Sequence, residues 1–232
     1  MKLAIMQPYF LPYIGYFQLM ASVDKFIVYD NIEYTKKGWI NRNRYLRDGT
    51  DELFSIPLKK GSDHLHVRDR ELAEDFKKDK LLHLLGLAYK RAPQFATVFP
   101  LAESIVRSEQ KNLFDYILQS LLVTRDYLGI RSELIVSSTL DIDHGLRGKD
   151  KVLALCKCVG ADTYINAIGG LALYDKDEFL AQGVALQFIK SAAIAYPQFD
   201  REFVPWLSIL DVMMFNSREV ISEWLASGYE LI

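Results

Sequence analysis

The sequence predicts an α/β fold: a Rossmann-like, mostly parallel five-stranded sheet with an inserted antiparallel hairpin and helical lobe. Three observations carry this. Short apolar runs alternate with helix-period segments toward both ends of the chain. Residues 41–58 switch to strand-like runs around Asp48-Gly49, a hairpin turn signal. Residues 74–128 then keep a helical period.

In order, KLAIM (2–6) reads as a short buried strand, and Ile14, Phe17, Leu19 and Met20 mark a helix ending near Val23-Asp24. KFIVYD is a second buried strand ending in Asp30. Strand, helix and strand in one sheet imply a parallel pair with a right-handed crossover. The hairpin follows, with LHVRD (65–69) continuing the antiparallel excursion. Leu81, Leu82, Leu85 and Tyr89, then Leu113, Ile117, Leu121 and Leu122, mark apolar helix faces, punctuated by Pro93 and Pro100. After Gly129 the alternation resumes: ELIVSS as strand, KDKVLALCKCVG as a helix closed by Gly160, TYINA as strand, DKDEFLAQG as a helix closed by Gly183, and VALQFI as strand. Residues 1–232 form a single α/β domain in this reading, with 41–128 as the hairpin and helical insertion.

A chain of 232 residues, 50% hydrophobic and 25% charged, can bury a substantial core. Its net charge of −2 gives no broad electrostatic reason to bind nucleic acid, so small molecules are the favoured partners, and an oligomer is compatible with the composition. KLAIM is too short for the apolar region of a signal peptide, and nowhere do 18 apolar residues run together. A cytoplasmic protein without a membrane span is expected. Cys156 and Cys158 stand two apart in a predicted helix, about 200° apart around its axis, which disfavours a disulfide or a shared metal.

In such a sheet ligands sit beyond the carboxyl ends of the strands. That selects Gln7, Pro8 and Tyr9; Asp30, Asn31 and Tyr34; Ser137 and Ser138; and Asn166, Gly169 and Gly170. Gly15 would let a ligand approach the first helical turn, whose free N–H groups favour phosphate. Tyr9, Tyr13 and Tyr16 line a binding loop in this view; in the competing one they are packing residues and Gln7 pairs with loop backbone. Buried phenols need partners in either case. YTKKGWINRNR (34–44) adds Lys36, Lys37, Arg42 and Arg44 as charge, Trp39 as a stacking face, and Asn41 and Asn43 as amides, a mixture suited to a nucleotide-linked or otherwise anionic substrate. A solvated basic loop is the competing reading. Strand alternation places Asn41 and Asn43 on one side and Arg42 and Arg44 on the other. The INAIGG turn is weak on its own, and without GxGxxG or GxxxxGK[ST] the chain matches neither a standard NAD-binding nor a P-loop enzyme.

Asp30, at a strand end, is the preferred carboxylate base. His64 and His66 would share one side of a strand, as a base or a metal pair or simply as surface; no metal set is assigned and no cofactor is fixed. Cys156 competes as nucleophile and as small core residue. Tyr196, Gln198 and Asp211 would close the pocket or pack.

MQPYFLPYIGYFQLM, IVYDNIEYTKKGWINRNR, SST, CKCVGADTYINAIGG, YPQF and LSILD together resemble the WbqC-like protein family over nearly the whole chain. The resemblance implies an enzyme of bacterial surface-polysaccharide (O-antigen) biosynthesis, a transferase adding an acyl or aminoacyl group such as glycyl to a nucleotide-linked amino sugar. It transfers no catalytic assignment. Gln7, Pro8, Tyr9, Tyr13, Gly15, Tyr16, Asp30, Trp39, Asn41, Arg42, Asn43 and Gly170 are the positions that match its motifs, whereas Lys37 stands where family members often carry another basic residue or a proline. The leading expectation has Asp30 or His64 deprotonating an amine while Arg42, Asn41 and Asn43 hold an anion. The layout is also similar to nucleotidyltransferases with an HxGH signature, but Tyr13-Ile-Gly-Tyr16 stands in its place without either histidine. An ATP-dependent nucleotidyl or adenylate-forming enzyme, and a non-catalytic binding subunit of the pathway, are the alternatives.

Overall fold

The computed structural model describes residues 1–62 and 64–232. Its centre is a six-stranded sheet in the order β5-β2-β1-β6-β7-β8, where β1 is Lys2–Met6, β2 Lys25–Val28, β5 Glu133–Val136, β6 Thr163–Ala167, β7 Ala185–Ser191 and β8 Tyr229–Leu231. Every pairing is parallel except β7 with β8. A separate antiparallel pair, β3 (Arg42–Arg47) and β4 (Thr50–Ser55), turns at Asp48 and Gly49, both at positive φ (51° and 84°), as a two-residue type I′ hairpin requires.

After their first lysines, the β1 and β2 sequences are apolar because both faces of the sheet are covered. Leu3, Ile5 and Ile27 face one cluster with Leu155 and Phe179, whereas Ala4, Phe26 and Val28 face the other, with Phe17, Tyr116 and Met213. The first layer contains α5 (Gly148–Val159) and α6 (Lys176–Leu180). The second contains α1 (Ile14–Ala21), α2 (Lys78–Tyr89), α3 (Phe95–Val106), α4 (Leu113–Leu128), α7 (Ile209–Phe215) and α8 (Arg218–Ser227). Helix α1 is apolar nearly all round and buried from Ile14 to Met20, as such a helix must be. Asn112 caps α4 through the amides of Phe114 and Asp115, and Gly129, at φ 70°, ends it.

Four expectations are corrected. The sheet has six strands, not five; β8 offers only three residues, too few for a readable period, and is recruited antiparallel to β7 at the edge. LHVRD does not extend the hairpin. Its backbone instead forms a 3-10 turn at Val67–Asp69 that meets the loop after β2, with Val67 N–H donating to Ile32 O and Arg68 N–H to Asp30 O. Pro100 lies inside α3 rather than interrupting it, on the exposed side of that helix. Helix α6 ends at Leu180, and Gly183, at φ 79°, closes the turn after it.

The order of the strands reverses direction at β1: β2 lies on one side and β6 on the other. The loops leaving β1 and β6 therefore diverge and open a crevice between them.

Candidate functional site

The loop between β1 and α1, residues 7–13, is held from two sides. Phe10 N–H donates to Ile40 O (2.9 Å), and Asn43 Nδ2 donates to Leu11 O (2.7 Å) and Phe10 O (3.3 Å). From the α7 side, Ser208 Oγ donates to Leu11 O (2.7 Å) and Ile209 N–H to Pro12 O (2.8 Å). These bonds fix Leu11 at φ 44°, in the left-handed region that a bulky L-residue enters at a cost. Gln7 serves the same loop: Tyr16 Oη donates to its carbonyl (3.0 Å) and Tyr9 Oη to its Oε1 (3.3 Å). Burial pushes the Tyr9 phenol up and the Tyr16 phenol well up, so both remain proton donors.

Beside this loop lies a cleft of about 450 Å³ whose walls are Tyr9, Tyr13, Tyr16, Trp39 and Trp206, with Met6, Pro12, Gly15, Leu19 and Ala167 beneath and Asn43 and Arg44 at one side. Its size suits a drug-sized or sugar-sized ligand, for which about 300–1,000 Å³ is usual. Arg44 is the charged residue among those described as lining it, and no carboxylate, histidine, cysteine or lysine does so. The Arg42 and Arg44 guanidinium carbons sit 5.8 and 5.2 Å from the centre of the Trp39 ring. Arg42 Nε donates to Gly38 O (2.8 Å), and Arg44 pairs with Asp51 at 3.2 Å through one terminal nitrogen. The Arg44 Nε is buried without a hydrogen-bond partner. That buried N–H is out of a ligand's reach, but the side chain as a whole is 39% exposed, so an acceptor entering the cleft meets the terminal guanidinium nitrogens, one of which pairs with Asp51.

The structure thus brings Tyr9, Tyr13, Gly15, Tyr16, Trp39 and Asn43 to one cleft, with Gln7 and Arg42 immediately behind its walls. Gly15 behaves differently from the expectation. A Cβ there would meet the Tyr13 phenol at 2.2 Å, so the missing side chain makes room for Tyr13, which covers the start of α1.

Other candidates are engaged elsewhere. Asp30 is buried; its Oδ1 accepts from Ser137 Oγ (2.7 Å) and Ser138 N–H (2.9 Å), and its Oδ2 lies 3.9 Å from Arg68. Asn31 continues this cluster between Ser137 Oγ (2.7 Å) and His144 Nδ1 (2.9 Å), tying the end of β2 to the turn after β5. Tyr34 donates to Asn41, whose amide donates to Ile56 O, so both are buried in the base of the hairpin. His64 is exposed on a loop, 3.8 Å from Glu33, rather than on a strand with His66, and Lys37 is likewise exposed. The Asn166 amide packs where a Gly170 side chain would be, while its Oδ1 accepts from Ala167 N–H; a Cβ at Gly169 would meet nothing. Tyr196 and Gln198 both donate to Asp211 (2.7 Å each), which also accepts from Tyr89 Oη (2.9 Å). Burial pushes the Asp211 carboxyl up to about 6 against the lowering effect of those three bonds. Cys156 is buried and its thiol pushed up to about 12, which leaves it un-ionised.

Sequence reasoning gave Arg44 only as nearby charge and missed Trp206. Arg44 had a signal, since it follows Arg42 by two along a strand and must share its side. Trp206 had none: an exposed tryptophan at positive φ (63°) reads like any core aromatic in sequence.

Among the described residues no group of His, Cys, Asp and Glu could hold a metal ion, and no helix is long and apolar enough to cross a membrane. The model of the WbqC-like protein family matches residues 7–223. The chain is 29% identical over 219 residues to the uncharacterized protein Rv1507c of Mycobacterium tuberculosis, covering 93% of each. No solved structure matches the chain significantly.

Proposed function

The chain belongs to the WbqC-like protein family, and from that premise we propose that it binds a nucleotide-linked amino sugar in the β1–β6 cleft and positions it for transfer of an acyl or aminoacyl group, in surface-polysaccharide assembly. The observation that carries the reading is the pairing of aromatic walls with the partly exposed Arg44 guanidinium. Flat rings stack on Trp39, Trp206 or the tyrosines, and a phosphate oxygen meets Arg44. Because the lining carries no acid or base of its own, the protein's contribution is orientation and charge stabilisation, with the sugar amine arriving as the free base. Asp30 and His64 act in this reading as structural and surface groups rather than as the base.

Titration calorimetry of wild type, Arg44→Ala and Arg42→Ala against nucleotide-linked amino sugars tests it. Saturable binding weakened most by Arg44→Ala is expected; no binding by any of the three proteins sinks the reading.

The same bare lining favours one second reading, a non-catalytic subunit that presents the sugar to another enzyme. In that case cleft substitutions leave turnover by the isolated partner enzyme intact while delivery to it fails. The nucleotidyl or adenylate-forming alternative has less support, because no histidine lines the cleft and Tyr13 covers the first turn of α1.

A further inference from the structure

Behind the cleft lies a second cavity of about 310 Å³, and two side chains, Tyr13 and Trp206, line both. Their rings are 5.7 Å apart and tilted against each other, so they form the partition between the two spaces. The partition is open to solvent. Tyr13 is 36% exposed and Trp206 68%, and Trp206 stands at φ 63°, a backbone region costly for a bulky side chain.

The second cavity differs in character from the first. No charged residue lines it; Ile14, Ala193, Ala195 and Phe203 represent its walls. The stretch after β7, residues 192–195, makes one side, and there the single methyls of Ala192, Ala193 and Ala195 leave room that larger residues would fill. An uncharged cavity that shares two exposed aromatic rings with a cleft carrying the partly exposed Arg44 guanidinium is laid out for an amphiphile.

Resting on the reading of the cleft as an anion-binding site, we propose that the second cavity takes an apolar tail, a saturated acyl or alkyl chain lying across the exposed edges of Tyr13 and Trp206, of a ligand whose anionic head is at Arg44. The chain is the group whose burial the apolar walls reward. Each methylene buried fully there tightens binding about fourfold.

The test is calorimetric titration with methyl, butyl, hexyl and octyl phosphate, all below micellar concentration, together with the matching alkanols. In wild type the affinity rises along the phosphate series. Ala193→Trp, at an exposed position that fills the cavity, flattens the series while leaving methyl phosphate unchanged, and Ala195→Phe does the same. A flat series in wild type, no binding by any member, or an undiminished slope in both filled variants overturns the tail site. Arg44→Ala separates the two readings. Weaker binding of every phosphate with the slope retained supports both. A retained slope with unchanged affinity, and alkanols binding as well as phosphates, overturns the anionic head and leaves the apolar chamber standing.

Discussion

Raising the pH from 4 to 7 should destabilise this protein through one carboxyl group, Asp211. The side chain is fully buried in α7, and desolvation outweighs the bonds from Tyr196, Tyr89 and Gln198, so that its pKa moves from 3.8 to about 6. The folded state therefore holds the Asp211 proton more tightly than the unfolded chain. The resulting stabilisation is complete below about pH 4 and is lost as pH rises through about 6. A displacement of that size corresponds to about 3 kcal/mol. Urea unfolding followed by circular dichroism at pH 4, 5, 6 and 7 measures it, with Asp211→Asn as the reference that cannot ionise. Between pH 4 and 7 wild type should lose up to about 3 kcal/mol more than the variant. If the difference between the two proteins is the same at every pH, or grows in the opposite direction, the claim that burial dominates Asp211 is refuted.

Other substitutions probe the loop and the cluster beside it. Asn43→Ala strips the Phe10 and Leu11 carbonyls of a shared donor and should cost about 1–3 kcal/mol in urea unfolding, together with ligand affinity; unchanged stability would contradict the clamp. Asp30→Ala should lower stability by a similar amount, because it strips Ser137 Oγ and Ser138 N–H of their acceptor at the β2–β5 end, whereas loss of turnover at full stability would restore Asp30 as a base. Gly15→Ala should keep the fold, since the helical backbone of the first turn of α1 accepts alanine, yet must displace the Tyr13 phenol; a loss of several kcal/mol by thermal unfolding would show that Tyr13 cannot move.

Much of the sheet was legible because β1, β2, β5, β6 and β7 each carry enough β-branched or apolar residues to declare themselves, and Asp48-Gly49 names its turn. The misread pieces had weak local signals. Three residues of β8 depend on β7 for their identity, and LHVRD is set by the loop it meets rather than by its own alternation. At the site, the strand-end rule found the right loop after β1. It could not tell Tyr9, which lines the cleft, from Gln7, which braces it, because both follow the same strand. It also treated all strand ends alike. Only the strand order reveals that β1 and β6 flank the crevice while Asp30 and Ser137 join the ends of β2 and β5 to each other.

On the proposed function, the cleft between β1 and β6 holds an anionic, ring-bearing ligand. Calorimetric titration of wild type, Trp39→Ala and Arg44→Ala with UDP-linked amino sugars tests it most directly. Saturable binding to wild type, weakened about tenfold or more by each substitution, is the predicted result, in line with a lost stacking face or charged hydrogen bond of about 1.4 kcal/mol or more. Binding that both variants retain at full strength, or no saturable binding to wild type, would contradict it.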